Sequence, residues 1–168
     1  MAVRIQSPFP EYAVPELWFA MQEFRHRLAD DFGPRTIEEF LAAWRTTEAT
    51  RWVVWKDEDL AGLVELQAVS PIVGLIHCFF RPPFWGRGIT DEAMRLVFRE
   101  IFGVGFEKVM AMPFADNRNV LAMAKRMGLV REGLLRSQTR RGGELVDVVI
   151  LSLFREEFER CQYQLCQR

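Results

Sequence analysis

The residues of this chain best suited to chemistry gather in one short span. An apolar run, Ile72–Phe80, leads into Arg81-Pro82-Pro83 and then Phe84-Trp85-Gly86-Arg87-Gly88-Ile89-Thr90. Two glycines one residue apart let the backbone take positive φ and come close to a ligand. The helical periodicity that begins at Ile89 puts them at a helix start. There the first N–H groups lack intrahelical partners and the macrodipole favours an anion. A pyrophosphate is the natural guest, with Arg87 adding charge-assisted hydrogen bonds. A bare G-x-G serves equally as a shaped strand-to-helix turn. The third glycine of the dinucleotide fingerprint is absent, and so is the Gly-Lys-Ser/Thr of a P-loop.

The elements that must position this turn follow from periodicity. Residues 14 to 31 read as one helix with Leu17, Met21, Phe24 and Leu28 on a single face, stopped by Gly33-Pro34. A second helix begins at Thr36, with Glu39 three residues on completing a capping box and Ile37, Phe40, Leu41 and Trp44 facing inward. Three strands follow: Arg51–Lys56, Leu60–Ala68 after the polar turn Asp57-Glu58-Asp59, and Ile72–Phe80 after Ser70-Pro71. Their spacing predicts an antiparallel meander. The helix after Gly88 buries Ile89, Ala93, Leu96, Val97 and Ile101 and stops at Gly103 to Gly105. Lys108–Met112 is a short strand, and Asp116 is the expected cap of a helix with Val120, Ala124 and Met127 inward and Gly128 as its stop. Val130–Arg140 and Glu144–Phe154 flank Arg141-Gly142-Gly143, a hairpin signal. Val3–Gln6 is a weak additional strand, and the polar tail from Arg155 carries some helical character. The order predicts a mixed α/β (α+β) fold around a central sheet. With no linker or repeat, residues 1–168 read as one domain.

Composition excludes several classes. Of 168 residues, 22 are Lys or Arg and 23 Asp or Glu, so a nucleic-acid surface is not expected. Cys78, Cys161 and Cys166 form neither a C-x-x-C pair nor an even set, which argues against a disulfide framework or a cysteine metal site. No apolar run approaches the roughly 20 residues of a membrane helix, and no signal peptide is evident. The expectation is a cytoplasmic protein with no metal and no membrane partner.

Three motifs in order resemble the GNAT superfamily of N-acetyltransferases, closest to the ribosomal-protein-alanine N-acetyltransferase (RimJ/RimL-like) branch. Phe84-Trp85-Gly86-Arg87-Gly88-Ile89-Thr90-Asp91-Glu92-Ala93 resembles the acetyl-CoA loop. Ala115-Asp116-Asn117-Arg118-Asn119, before a helix ending Lys125-Arg126-Met127-Gly128-Leu129, is similar to the second cofactor motif. Arg131-Glu132-Gly133, Asp147-Val148-Val149 and Phe154-Arg155-Glu156-Glu157-Phe158 resemble the closing hairpin of that branch. The resemblance implies a mixed, mostly antiparallel sheet flanked by about four helices. It further implies that strand 72–81 splays from 108–112 and that the pantetheine arm of acetyl-CoA lies in the gap. The pyrophosphate then meets residues 84 to 90, with Asn117 or Asn119 contacting the cofactor. Phe79, Phe80, Arg81, Phe84, Trp85, Gly86, Arg87, Gly88, Ile89 and Thr90 complete the implied cofactor site. GNAT-like domains often dimerise, so a homodimer is compatible.

What is implied is direct attack of a primary amine, on a protein N-terminus or a small molecule, on the thioester. That step needs a base, a donor for the oxyanion (backbone N–H near Phe79 or Phe80) and a proton for the thiolate. Many relatives carry a Glu where Leu75 stands here. His77, two residues on, has an unperturbed pKa suited to base catalysis, and Glu65 on the neighbouring strand is a second candidate, acting through a water. The Tyr that many relatives use as an acid is replaced by Ala124, and Tyr12 and Tyr163 belong to no motif. Arg136, Arg140 and Arg141 are either a solvated hairpin or an attractor for an acidic substrate. The alternative function is a GNAT-fold acyl-CoA-binding or protein-interaction module without turnover, a reading that Leu75 and Ala124 favour.

Overall fold

Turn chemistry and alternation build the sheet. The computed structural model describes residues 2–86 and 88–166, with the backbone alone at 28 and 162–166. In chain order it contains β1 (Val3–Gln6), α1 (Val14–Gln22), α2 (Arg25–Leu28), α3 (Ile37–Thr46), β2 (Thr50–Lys56), β3 (Asp59–Ser70), β4 (Val73–Phe80), α4 (Ile89–Gly103), β5 (Lys108–Ala111), α5 (Arg118–Arg126), β6 (Val130–Arg141), β7 (Glu144–Phe154) and α6 (Arg155–Cys166). The strands form one seven-stranded sheet in the order β1-β2-β3-β4-β5-β7-β6. All neighbours are antiparallel except β4 and β5. Gly142 and Gly143, at φ +61° and +82°, make the tight β6–β7 turn that two positive-φ residues allow.

Alternation sorts the strands' side chains onto two faces. Val64, Leu66, Ile76 and Phe80 pack with Ala93, Val97, Phe98 and Ile101 of α4. Val53, Leu63 and Phe79 point the other way, against Leu17 of α1 and the half-buried Phe40 and Trp44 of α3. Ala124 of α5 packs on Val149 and Leu151 of β7. Thus α4 and α5 cover one face, while α1 and α3 cover β2–β4 on the other.

Two local expectations change. The single helix over 14–31 divides into α1 and α2 at Glu23-Phe24, where Phe24 leaves helical geometry (φ −116°, ψ 11°). Its ring instead meets Trp85 edge to face, with centroids 5.5 Å apart, so tertiary packing overrides local propensity. The α5 cap is Asn117 rather than Asp116: its side chain accepts from the Val120 N–H, while Asp116 is drawn into an ion pair with Arg141. At α3, Thr36 accepts from the Glu39 N–H as expected, but the Glu39 carboxylate reaches the Arg35 N–H at 2.7 Å. The weak strand at Val3–Gln6 forms and pairs with β2. With the tail helix and the divided first helix, the four expected helices become six among the described residues.

Candidate functional site

A gap opens in the middle of the sheet. β4 pairs with β5 only through Val73–Lys108, Gly74–Val109 and Leu75–Met110. β5 then ends at Ala111, ahead of Met112-Pro113. Proline has no N–H to give a ladder, and the Pro113 carbonyl accepts from Val149 of β7 instead. β4 meanwhile continues to Phe80. The Ile72 carbonyl accepts from Lys108 N, so it points toward β5. By alternation the backbone groups of Ile76, Cys78 and Phe80 face the gap as well. Such an unpaired edge can bind an extended ligand through its main chain. Of the two candidate oxyanion donors, only the Phe80 N–H therefore faces the gap. The Phe79 N–H is directed at β3.

The turn after β4 is held from within. Trp85 Nε1 donates to the Phe80 carbonyl at 2.7 Å, and Phe24 packs on the indole. Gly86 and Gly88 take φ +68° and +75°, and beyond their chain neighbours no described atom lies within 4 Å of where a Cβ would stand on either. Gly88 is the N-cap of the 15-residue α4. The two glycines leave open space at a helix start, which fits a pyrophosphate. Ile89 and Thr90 bury their side chains and leave their backbone to this space. Asp91, in the same turn, would repel an anion, but Arg126 of α5 grips its carboxylate at 2.8 and 3.0 Å. That hydrogen-bonded guanidinium holds the Asp91 pKa below its ordinary value. Arg87 lies outside the described residues.

The remaining candidates divide. Phe79 and Phe80 bury their side chains on opposite faces, and Phe84 is partly buried against the α4 cluster. The Arg81 side chain sits on the α1 face, bonded to Glu16 and to the Leu60 carbonyl at 3.0 and 2.9 Å. It is thus turned from the loop that it was expected to serve. Asn117 is half-buried with its carbonyl oxygen engaged in capping, and Asn119 is exposed on the first turn of α5. Cys78 packs against the α4 cluster, and burial pushes its thiol up to about 11, so it is no nucleophile.

On the face opposite α4, Glu65 of β3 stands directly across from His77 of β4, and Arg51 of β2 stands across from Glu65. Solvent reaches His77. The protein mass around the ring nevertheless lowers its pKa, and the Glu65 carboxylate partly opposes that shift. A neutral imidazole near pH 7 is the result, the form that can take a proton. Across the gap, the α2–α3 loop clasps the tip of the β6–β7 hairpin. Asp31 accepts from the Gly142 and Gly143 N–H groups, both at 2.8 Å, and Thr139 donates to Asp30 at 2.8 Å. Arg141 is tied to Asp116 and stacks on Phe114, while Arg140 donates to the Gly143 carbonyl. Those two arginines serve the hairpin itself. The contacts made by Phe24, Arg51, Asp31 and Arg126 were not legible in the sequence, because each residue acquires its partner only through tertiary packing.

A gap beside a parallel strand pair, an open glycine turn at its mouth and a helix start aimed there coincide with a profile match. The acetyltransferase (GNAT) domain profile matches residues 7–130. The chain belongs to the GNAT acetyltransferases. The fold recurs in solved GNAT structures. A spermidine/spermine N-acetyltransferase, SpeG from Vibrio cholerae, shares 14% identity over 95% of this chain and 98% of its own, with a TM-score of 0.80. RimJ from Mycobacterium smegmatis, in complex with CoA-disulfide, shares 17% over 92% and 83%, TM-score 0.77. RimL, a ribosomal L7/L12 alpha-N-protein acetyltransferase in complex with coenzyme A, shares 18% over 92% and 94%, TM-score 0.77. No curated protein matches the chain. In this GNAT protein no helix is long and apolar enough to cross a membrane among the described residues.

Proposed function

We propose that this GNAT protein is an acetyl-CoA-dependent N-acetyltransferase in which a primary amine attacks the thioester directly. The observation that carries the reading is the β4–β5 gap, which has a different chemistry at each face. One face offers the α4 start and the two positive-φ glycines, Gly86 and Gly88. The other offers His77 beside Glu65. In this reading the phosphates meet the loop backbone, the pantetheine arm pairs with the gap side of Ile76 and Cys78, and the amine arrives from the α1–α3 face.

His77 takes one proton from the ammonium. The amine lone pair then forms the C–N bond, the oxyanion is held by the Phe80 N–H, and the C–S bond breaks as the oxyanion collapses. The thiolate recovers that proton from the imidazolium, and the nitrogen that formed the C–N bond gives up its second proton to solvent, so one proton is released overall. Both oxygens of Glu65 are already engaged, by Arg51 and by Gln67 at 2.6 and 2.8 Å. Glu65 therefore supports the imidazolium as its counter-charge rather than serving as the base. An α-amine of pKa ~8 costs about 1.4 kcal/mol to neutralise at pH 7, and a lysine of ~10.4 about 4.6 kcal/mol. A single histidine therefore suits a protein N-terminus or another amine of modest basicity. The free Cys78 and Cys161 fit a reducing, cytoplasmic setting.

The test is calorimetric acetyl-CoA binding followed by thiol release with N-terminal peptides, polyamines and aminoglycosides. Binding and turnover, with His77→Ala losing turnover far more than affinity, supports the reading. No binding sinks it. Binding without turnover on every amine supports the non-catalytic module, a reading favoured by Ala124, which is buried where relatives place an acid.

A further inference from the structure

One ion pair on the acceptor face has more attachments than holding two strands together requires. Arg51 donates from Nε to Glu65 at 2.6 Å and from its terminal nitrogen to the Thr47 carbonyl at 3.2 Å. Its guanidinium lies 4.3 Å from the ring centroid of Trp44, which is itself packed against Phe9 and Phe40. The Arg51 and Glu65 side chains are only 12% and 15% exposed. Gln67 holds the other Glu65 oxygen. The carboxylate is thus gripped from β2 and from along its own strand, while the cross-strand register sets it opposite His77.

We propose that Arg51 is a positioning residue that, braced by Trp44, fixes the Glu65 carboxylate beside His77, so that Arg51, Glu65 and His77 act as one row across β2, β3 and β4. The proposal rests on the reading of His77 as the proton acceptor. Proton traffic is unchanged by it: the proton moves from amine to imidazole and then to thiolate, while Glu65 stays ionised. Arg51 competes with the imidazolium for the charge of Glu65 and limits how strongly that charge draws a proton onto His77.

Several charges on the covering elements are committed elsewhere, and the charge that the strand register places across from His77 is Glu65 alone among its β3 and β5 neighbours. Arg25 of α2 donates to the Gly33 and Pro34 carbonyls. Asp30 and Asp31 hold the hairpin, and Glu39 of α3 holds the Arg35 N–H. Trp44, Leu75 and Met110, from α3, β4 and β5, carry no charge. Glu65 is the charge that acts on His77, and Arg51 acts through it.

The sign of the effect discriminates. Removing Arg51 with Arg51→Leu frees the Glu65 charge for His77 and moves the acidic limb of kcat/KM to higher pH, by roughly half to one unit. Glu65→Gln moves it to lower pH and lowers kcat. Arg51→Lys keeps the charge but neither the stack nor the Nε contact, and falls between. A packing defect would shift neither limb nor give opposite signs. The chain has two histidines, so NMR titration of the two imidazoles reads the same shift without turnover, and Arg51→Lys supplies it if Arg51→Leu fails to fold. His77→Gln separates the failures. If it leaves turnover and the acidic limb intact, the His77 reading falls and Arg51 with it. If it removes the limb while the Arg51 variants leave the His77 titration unmoved, the Arg51 proposal alone is overturned.

Discussion

Substituting the glycine at the start of α4 tests the cofactor loop most directly. Gly88 stands at φ +75° with open space around its missing Cβ, so Gly88→Val meets no clash and acts in two other ways. It holds an L residue in the left-handed region, which costs about 1–2 kcal/mol, toward the upper end for a β-branched side chain. It also projects carbons into the space through which a phosphate would reach the helix N–H groups. Each hydrogen bond to a charged partner contributes about 1.5–3 kcal/mol, so losing one weakens CoA binding by roughly 10- to 150-fold. The strain lowers the melting temperature by a few degrees, at about 2–4 °C per kcal/mol. Gly142 isolates that part: its φ is +61°, its Cβ space is equally open, and it lies at the hairpin tip. Gly142→Val should lower Tm comparably and leave CoA affinity within a factor of about two. Calorimetric titration with CoA beside thermal melts of both variants measures the two effects. If Gly88→Val loses stability like Gly142→Val but binds CoA undiminished, the anion is not at the α4 start and the loop's glycines serve shape alone.

Other expectations are quickly checked. A Cβ on Gly62 would stand 2.2 Å from the Phe79 carbonyl, a backbone atom that cannot swing aside, so Gly62→Ala should destabilise by about 1–3 kcal/mol in denaturant titration and disturb the gap-facing Phe80 N–H. Phe98, 1% exposed in the α4 cluster, should lose about 3–5 kcal/mol as Phe98→Ala. Asp91 has its pKa depressed by Arg126, so its stabilising contribution is present above the unfolded carboxylate pKa and lost as pH falls through the folded one. The Tm gap between wild type and Asp91→Asn should be open at pH 6 and close in that acid range. With its thiol at about 11, Cys78 should stay unlabelled by iodoacetamide at pH 8 in the native protein, while the exposed Cys161 reacts; peptide mass mapping reads both.

Much of the fold was legible because local signals and tertiary demands agree. The Thr36 cap, the glycine pair at 142–143 and the apolar stripe from Ile89 to Ile101 each specify one conformation and one buried face, and each element stands where its pattern placed it. Disagreement appears where a distant partner outbids the local pattern. Phe24 fits a continuous helical stripe, yet a ring contact with Trp85, remote in sequence, breaks the helix at that residue. Arg81 sits beside a phosphate-type turn, but strand alternation sends its side chain to the opposite face and onto Glu16. No local pattern contains either contact.

The row on the acceptor face shows how little register a sequence carries. A plain hairpin closing at Lys56–Asp59 would set Arg51 across from Val64, and the arginine would have no carboxylate beside it. The irregularity between Val54 and Trp55 shifts the pairing, leaves Ala61 unopposed and brings Glu65 opposite Arg51. β3 and β4 then run without interruption from Gly62–Phe80 to Ala68–Gly74, which carries the same register on to His77. One extra residue thus decides whether Arg51, Glu65 and His77 form a row at all. Its neighbour Gly62 is where a side chain would collide with the Phe79 carbonyl. The bulge and the glycine together let β3 lie against the end of β4 that borders the gap, so the alignment of the histidine and the position of the gap-facing end of β4 depend on the same short stretch of β3.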